Sequence, residues 1–138
     1  MAVSHSGTYV QLPKCGLAQI LPADTTNRKT LITAGADGNK VTGISAINTD
    51  TVNDRLLQFW VSRGGVFFLL NTVNVPLTSG NVATVPPVNI FSNWSGLPLD
   101  NDGQKYLYLE SGDVLSVAST GTVATLKEVD VIAVHGAF

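Results

Sequence analysis

The segment 55–70 constrains this chain most. It reads RLLQFWVSR, then Gly64 and Gly65, then VFFLL. Two β-rich arms around a Gly-Gly pair predict a tight hairpin, because its turn needs positive φ angles that glycine adopts without steric cost. In the first arm Leu57, Phe59 and Val61 share one face, and Leu56, Gln58 and Trp60 share the other. In the second arm Val66, Phe68 and Leu70 oppose Phe67 and Leu69. Side chains alternate across a strand, so both faces of this hairpin are apolar. An antiparallel sandwich strand ordinarily keeps one face wet. The spare face therefore needs cover, from a loop of the same chain or from another subunit.

The rest of the chain reads as all-β. No stretch of a dozen residues repeats apolar side chains at helical spacing; short runs rich in Val, Ile and Thr are broken by Gly, Asn and Asp turns. Strands are expected at 15–21, 29–34, 40–48, 55–63, 66–73, 105–109, 113–119 and 126–135, an eight-stranded antiparallel β-sandwich. Asp37, Gly38 and Asn39 mark one turn, and Gly112 with Asp113 another. The alternation breaks at Gly43, which predicts a bulge. The run 129–134 (VDVIAV) reads as a central, largely buried strand.

Two segments depart from the pattern. Residues 1–13 read as an extended N-terminal arm, with residues 14–138 forming one sandwich domain. Within it, residues 74–103 form a long irregular connection that holds Pro76, Pro86, Pro87 and Pro98. Proline removes ladder donors, so this connection is expected to be structured but largely strand-free, with one helical turn near residues 89–94. Long ordered loops are uncommon unless functional. Its Ile90, Phe91, Trp94 and Leu97 must pack over the hairpin or against a partner.

Composition narrows the function. Only 13% of residues are charged, against about 25% in ordinary globular domains, and mean hydropathy is +0.23. A formal net charge of −2 argues against a nucleic-acid partner, which a basic surface would serve. The longest apolar runs are far below the ~20 residues of a membrane helix, so no membrane partner is expected. Residues 1–12 lack a basic end followed by an apolar stretch and do not read as a signal peptide. Cys15 stands alone, which excludes an internal disulfide, and is expected as a small buried strand residue.

The chemistry-bearing residues form no catalytic set. His5, His135 and Cys15 lack any zinc spacing. The segment 99–103 (LDNDG) starts like a calcium loop, but with Gly103 at the sixth position Pro98 and Leu109 fall where carboxylates are required. Asp50, Asp54 and Glu110 are too dispersed for a paired-carboxylate site, and no nucleotide-binding or hydrolase fingerprint occurs. The expectation is a protein without catalytic residues, cofactor or metal. Tyr106 and Tyr108 share one side of a strand, which leaves a carbohydrate-binding module for host attachment as an alternative.

The order of motifs carries a resemblance. Segment 31–44 (LITAGADGNKVTGI) precedes the hairpin; 75–80 (VPLTSG), a Pro-Pro and Trp segment, and 103–115 (GQKYLYLESGDVL) follow it. Over roughly residues 14–138 this resembles a family of small β-rich virion proteins of tailed bacteriophages, head decoration (cement) proteins among them. The resemblance implies a jelly-roll-like sandwich, commonly a homotrimer, bound to the phage major capsid protein on the outer face of the head. It further implies synthesis in the host bacterial cytoplasm. A tail or baseplate adaptor with the same fold is the alternative virion position. On this view Val3, Tyr9, Val10 and Leu12 of the arm are the candidates for capsid or neighbour contact. Trp60, Phe67, Ile90, Phe91 and Trp94 are the candidates for trimer contact or loop packing. Size scaling gives the folded monomer a surface of about 6,900 Å². Burying about 800 Å² against each of two neighbours would cover roughly a quarter of it.

Overall fold

The computed structural model describes residues 12–138. Val3, Tyr9 and Val10 lie outside the described residues. Nine strands are present: β1 (Leu12–Ile20), β2 (Lys29–Thr33), β3 (Asn39–Asn48), β4 (Arg55–Arg63), β5 (Val66–Val75), β6 (Val88–Asn89), β7 (Leu107–Leu109), β8 (Val114–Ser119) and β9 (Val129–Ala137). All pairings are antiparallel. One sheet runs β1-β9-β3, and both β6 and β7 pair with the far edge of β3; the other runs β2-β8-β4-β5.

The eight expected strands become nine because one strand position is split. β7 pairs with the start of β3 (Asn39 to Val41) and β6 with Ser45 and Ala46 further along. Counted as one position, they leave eight positions in two sheets. The chain changes sheet at every step except the β4–β5 hairpin, which is the double Greek key of a jelly roll. The proline-rich connection separates the two halves, so the strand expected from residue 105 starts only at Leu107.

β1 reaches further toward the N-terminus than expected. Leu12 and Pro13 pair with Ala137 and Gly136, so they belong to the sheet rather than to the arm. Pro13 is tolerated because β1 is an edge strand, where a missing donor faces no neighbour. Cys15 corrects a second expectation. It is exposed, because inward positions on β1 fall to Gly16, Ala18 and Ile20.

The core lies between the sheets, with Ile20, Leu57, Phe59, Val75, Leu115, Val117 and Val129 fully enclosed. Gly16 lets the β1 and β2 sides approach: a Cβ at this position would stand 2.3 Å from the Leu31 carbonyl oxygen. On the opposite side a 3₁₀ turn (Phe91–Asn93), within the span expected to turn, carries Ile90, Phe91 and Trp94 into the core. Trp94 lies 6.0 Å from the Phe59 ring and 5.8 Å edge-on from Phe91. Lys105 Nζ donates to the Phe91 and Trp94 carbonyls at 3.0 and 2.9 Å, which satisfies acceptors that a short turn leaves open.

Three bulges shift the registers, one of them leaving Leu31 extra in β2 opposite Ser116 and Leu115. In β3 the pairing slips between Val41 and Gly43, beside the position where the alternation breaks. In β5 Phe59 faces Asn71 while Trp60 faces Leu69, which leaves Leu70 as the extra residue.

Candidate interaction surface

Gly64 and Gly65 adopt φ of +60° and +80° and close the β4–β5 hairpin as its sequence requires. Its first arm is central: Leu57, Phe59 and Val61 enter the core. Its second arm is the free edge of the sheet. Val66, Phe67, Phe68 and Leu69 are 45–56% exposed, on both faces of that edge. The connection 74–103, the candidate cover, packs Ile90, Phe91 and Trp94 into the core instead, with Trp94 against Phe59. Among the described residues nothing covers the hairpin end. Its backbone edge is unpaired among the described residues as well, with no Pro and no charged side chain from Val66 to Val75.

The outer face of this sheet continues the patch. Register aligns Thr33, Val114, Ser62 and Phe67 in one row, Thr30, Ser116, Trp60 and Leu69 in the next, and Ala118, Gln58 and Thr72 in a third. None of these side chains is charged. One charge does reach this face: the Arg28 guanidinium lies 4.2 Å from the Trp60 ring centre and 4.2 Å from that of Phe67. Against two aromatic rings, the planar cation is attracted by both π faces, which restricts its orientation. Among the described residues no carboxylate pairs with it. A depression of about 370 Å³ beside it is lined by Thr26, Gln58, Trp60, Ser119 and Thr120. The Trp60 indole N–H and Ser116 hydroxyl on this face are enclosed without a hydrogen-bond partner.

Asp50, His135 and Asp100 are committed to structure. The Asp50 carboxylate is buried and accepts from Val52 N, Asn53 N and Arg55 Nη2 at 2.8, 3.1 and 2.9 Å. Burial pushes its pKa up, but the Val52 N–H, the Arg55 guanidinium and the Asn53 donors outweigh that and bring it down to about 2. His135 sits buried with Nδ1 2.9 Å from the Asn39 amide nitrogen; burial first, then Lys14, holds its pKa below the usual value. Asp100 closes the segment 99–103 by accepting from the Asp102 and Gln104 N–H groups, an Asx turn rather than a cation loop. No group of three metal-ligating side chains occurs among the described residues.

The candidate residues separate into three sets. Trp60 and Phe67 come together on the outer face, clasping Arg28. Leu12 is exposed at the start of the β1 edge. Ile90, Phe91 and Trp94 are at most 6% exposed within their own chain, so they pack the loop and offer no surface to a partner. Leu56, Phe68, Leu69 and Arg28 were missed as contact candidates. The first three stood in the doubly apolar hairpin, but which face stayed bare depended on packing from distant residues. Nothing in the sequence marks Arg28.

No protein-family model matches the sequence, and no curated protein does. Two solved structures of a pentameric capsid protein isolated from metagenomic phage sequences are similar to the chain over 89% of its length. Identity is 16% and the TM-score 0.40 in both cases. The chain spans 60% and 62% of the length of those proteins.

Proposed function

We propose that the protein is a structural virion component of a tailed phage, a decoration protein that self-associates as a homotrimer and binds the major capsid protein on the outer face of the head. The observation that carries this reading is the apolar hairpin edge, uncovered by any described residue, joined to a sheet face on which Arg28 is the one charge. Apolar patches of more than a few hundred Å² seldom remain exposed on solitary proteins. The jelly-roll order and the motif resemblance support it. Jelly rolls serve unrelated roles, so the fold by itself names none.

The mechanism is multivalent attachment. A trimer offers the shell the same contact three times, and linked contacts multiply in strength without any single one being tight. Spanning several capsid subunits, it opposes their separation under internal pressure. On this reading the protein is made in the host cytoplasm and ends on the head exterior. Sedimentation with undecorated heads tests it: the protein should pellet with them at hundreds of copies per particle. A few copies confined to tails would favour the adaptor position, and no binding to any particle would refute the virion role.

A further inference from the structure

Two patches of the described surface combine apolar side chains with unpaired charge, and their charges are opposite. The first is Arg28 between Trp60 and Phe67. The second lies on the outer face of the other sheet. There Leu17 pairs with Ile132, and in the next row Gln19 pairs with Asp130. The Gln19 amide bonds both Asp130 and Glu128, so the two carboxylates are gathered around one neutral group. No cation among the described residues pairs with either. Asp130, with burial, raises the Glu128 pKa, and Gln19 only partly offsets this. Leu17 is 69% exposed beside them.

The two patches lie on the outer faces of opposite sheets: Phe67 shares a row with Ser62, Val114 and Thr33, toward the hairpin tip, while the acidic pair stands where β9 begins. β1 finishes at Ile20 opposite Val129, where β9 begins, and a short connection leads from there to Arg28 just before β2.

We propose that a second copy of this chain docks by joining these two patches. Arg28 of one copy, backed by Trp60 and Phe67, seats on Glu128 and Asp130 of the next, backed by Leu17 and Ile132. The contact rests on the self-association proposed above and specifies its geometry. Patch and counter-patch lie on the outer faces of opposite sheets, so one contact cannot close on itself and copies join head to tail, as in a cyclic trimer. A planar guanidinium engages carboxylates through parallel N–H bonds, and a pair of carboxylates beside it uses more of its donors. Affinity comes from the apolar surround. The charges fix orientation and exclude wrong partners, since a desolvated ion pair alone roughly breaks even.

Light scattering on four purified chains tests the contact: wild type, R28E, E128K/D130K, and the chain with all three changes. The expected masses are three times 14.5 kDa for wild type and 14.5 kDa for the first two variants, with unchanged circular dichroism. The combined chain should regain the trimer. Arg28 and the acidic pair make no contact within one chain, so recovery must come from contact between copies. Should wild type be trimeric while R28E stays trimeric, or the combined chain fail to recover, this contact is wrong and self-association stands. A monomeric wild type would overturn both.

Discussion

Arg63 clasps Asp113 through two parallel hydrogen bonds, Nε to Oδ1 at 2.8 Å and Nη2 to Oδ2 at 2.7 Å. Arg63 ends β4 and Asp113 directly precedes β8, so the pair ties the hairpin to its sheet at the point where the bare tip begins. Asp113 is almost fully buried and also accepts the Glu110 N–H at 2.9 Å. The Arg63 guanidinium, then the Glu110 N–H, outweigh burial and hold the Asp113 pKa below the usual value.

Replacing Asp113 by Ala should therefore release the hairpin base. Loss of hydrogen bonds to a charged group predicts about 1–2 kcal/mol of destabilisation. Urea unfolding should show the lower midpoint, and amide exchange should quicken most in residues 61–68. The neighbouring Arg63–Glu110 contact is exposed on both sides, so Glu110→Gln should change stability little.

Phe59 and Phe68 are both hairpin phenylalanines, yet they should behave oppositely. Phe59 is fully enclosed against Trp94, and Phe59→Ala should cost about 3–5 kcal/mol in urea unfolding. Phe68 is 53% exposed, and Phe68→Ser should shift monomer stability by less than about 0.5 kcal/mol. A large loss for Phe68→Ser would show that the tip is packed within its own chain.

Acid should destabilise the fold in two stages. His135 has a lowered pKa in the folded chain, so the unfolded chain takes its proton first, and stability falls as pH drops below the ordinary histidine value of 6.5. Asp50 falls from 3.8 to about 2 on folding, so its contribution is present above pH 4 and lost as pH approaches 2. Denaturant midpoints measured from pH 8 to pH 2 should show both declines. His135→Gln should remove the first and leave the second.

Much of the sandwich was legible because strand signals are local. Alternation in 55–63, the Gly64-Gly65 turn and the apolar run 129–134 each needed only their own residues, and β4, the hairpin and the central β9 follow them. Edges and covers were not legible. Cys15 was expected inside because free cysteine usually is, but the parity of β1 is set by Gly16 facing Leu31 across the sandwich. The Leu70 bulge and the splitting of one strand position into β6 and β7 depend on partners far along the chain. The candidate surface was half visible: the doubly apolar hairpin announced it, while the clasp of Arg28 arises only when β2 and β5 join one sheet.

The central claim is that the bare hairpin and the sheet face it continues, with Arg28 as its one charge, are covered by another copy. Light scattering on the wild-type protein beside Phe68→Ser/Leu69→Ser at equal concentration tests it most directly. The account predicts three times the chain mass for wild type and a folded 14.5 kDa monomer for the variant. A wild-type protein that stays monomeric and soluble at high concentration would contradict it.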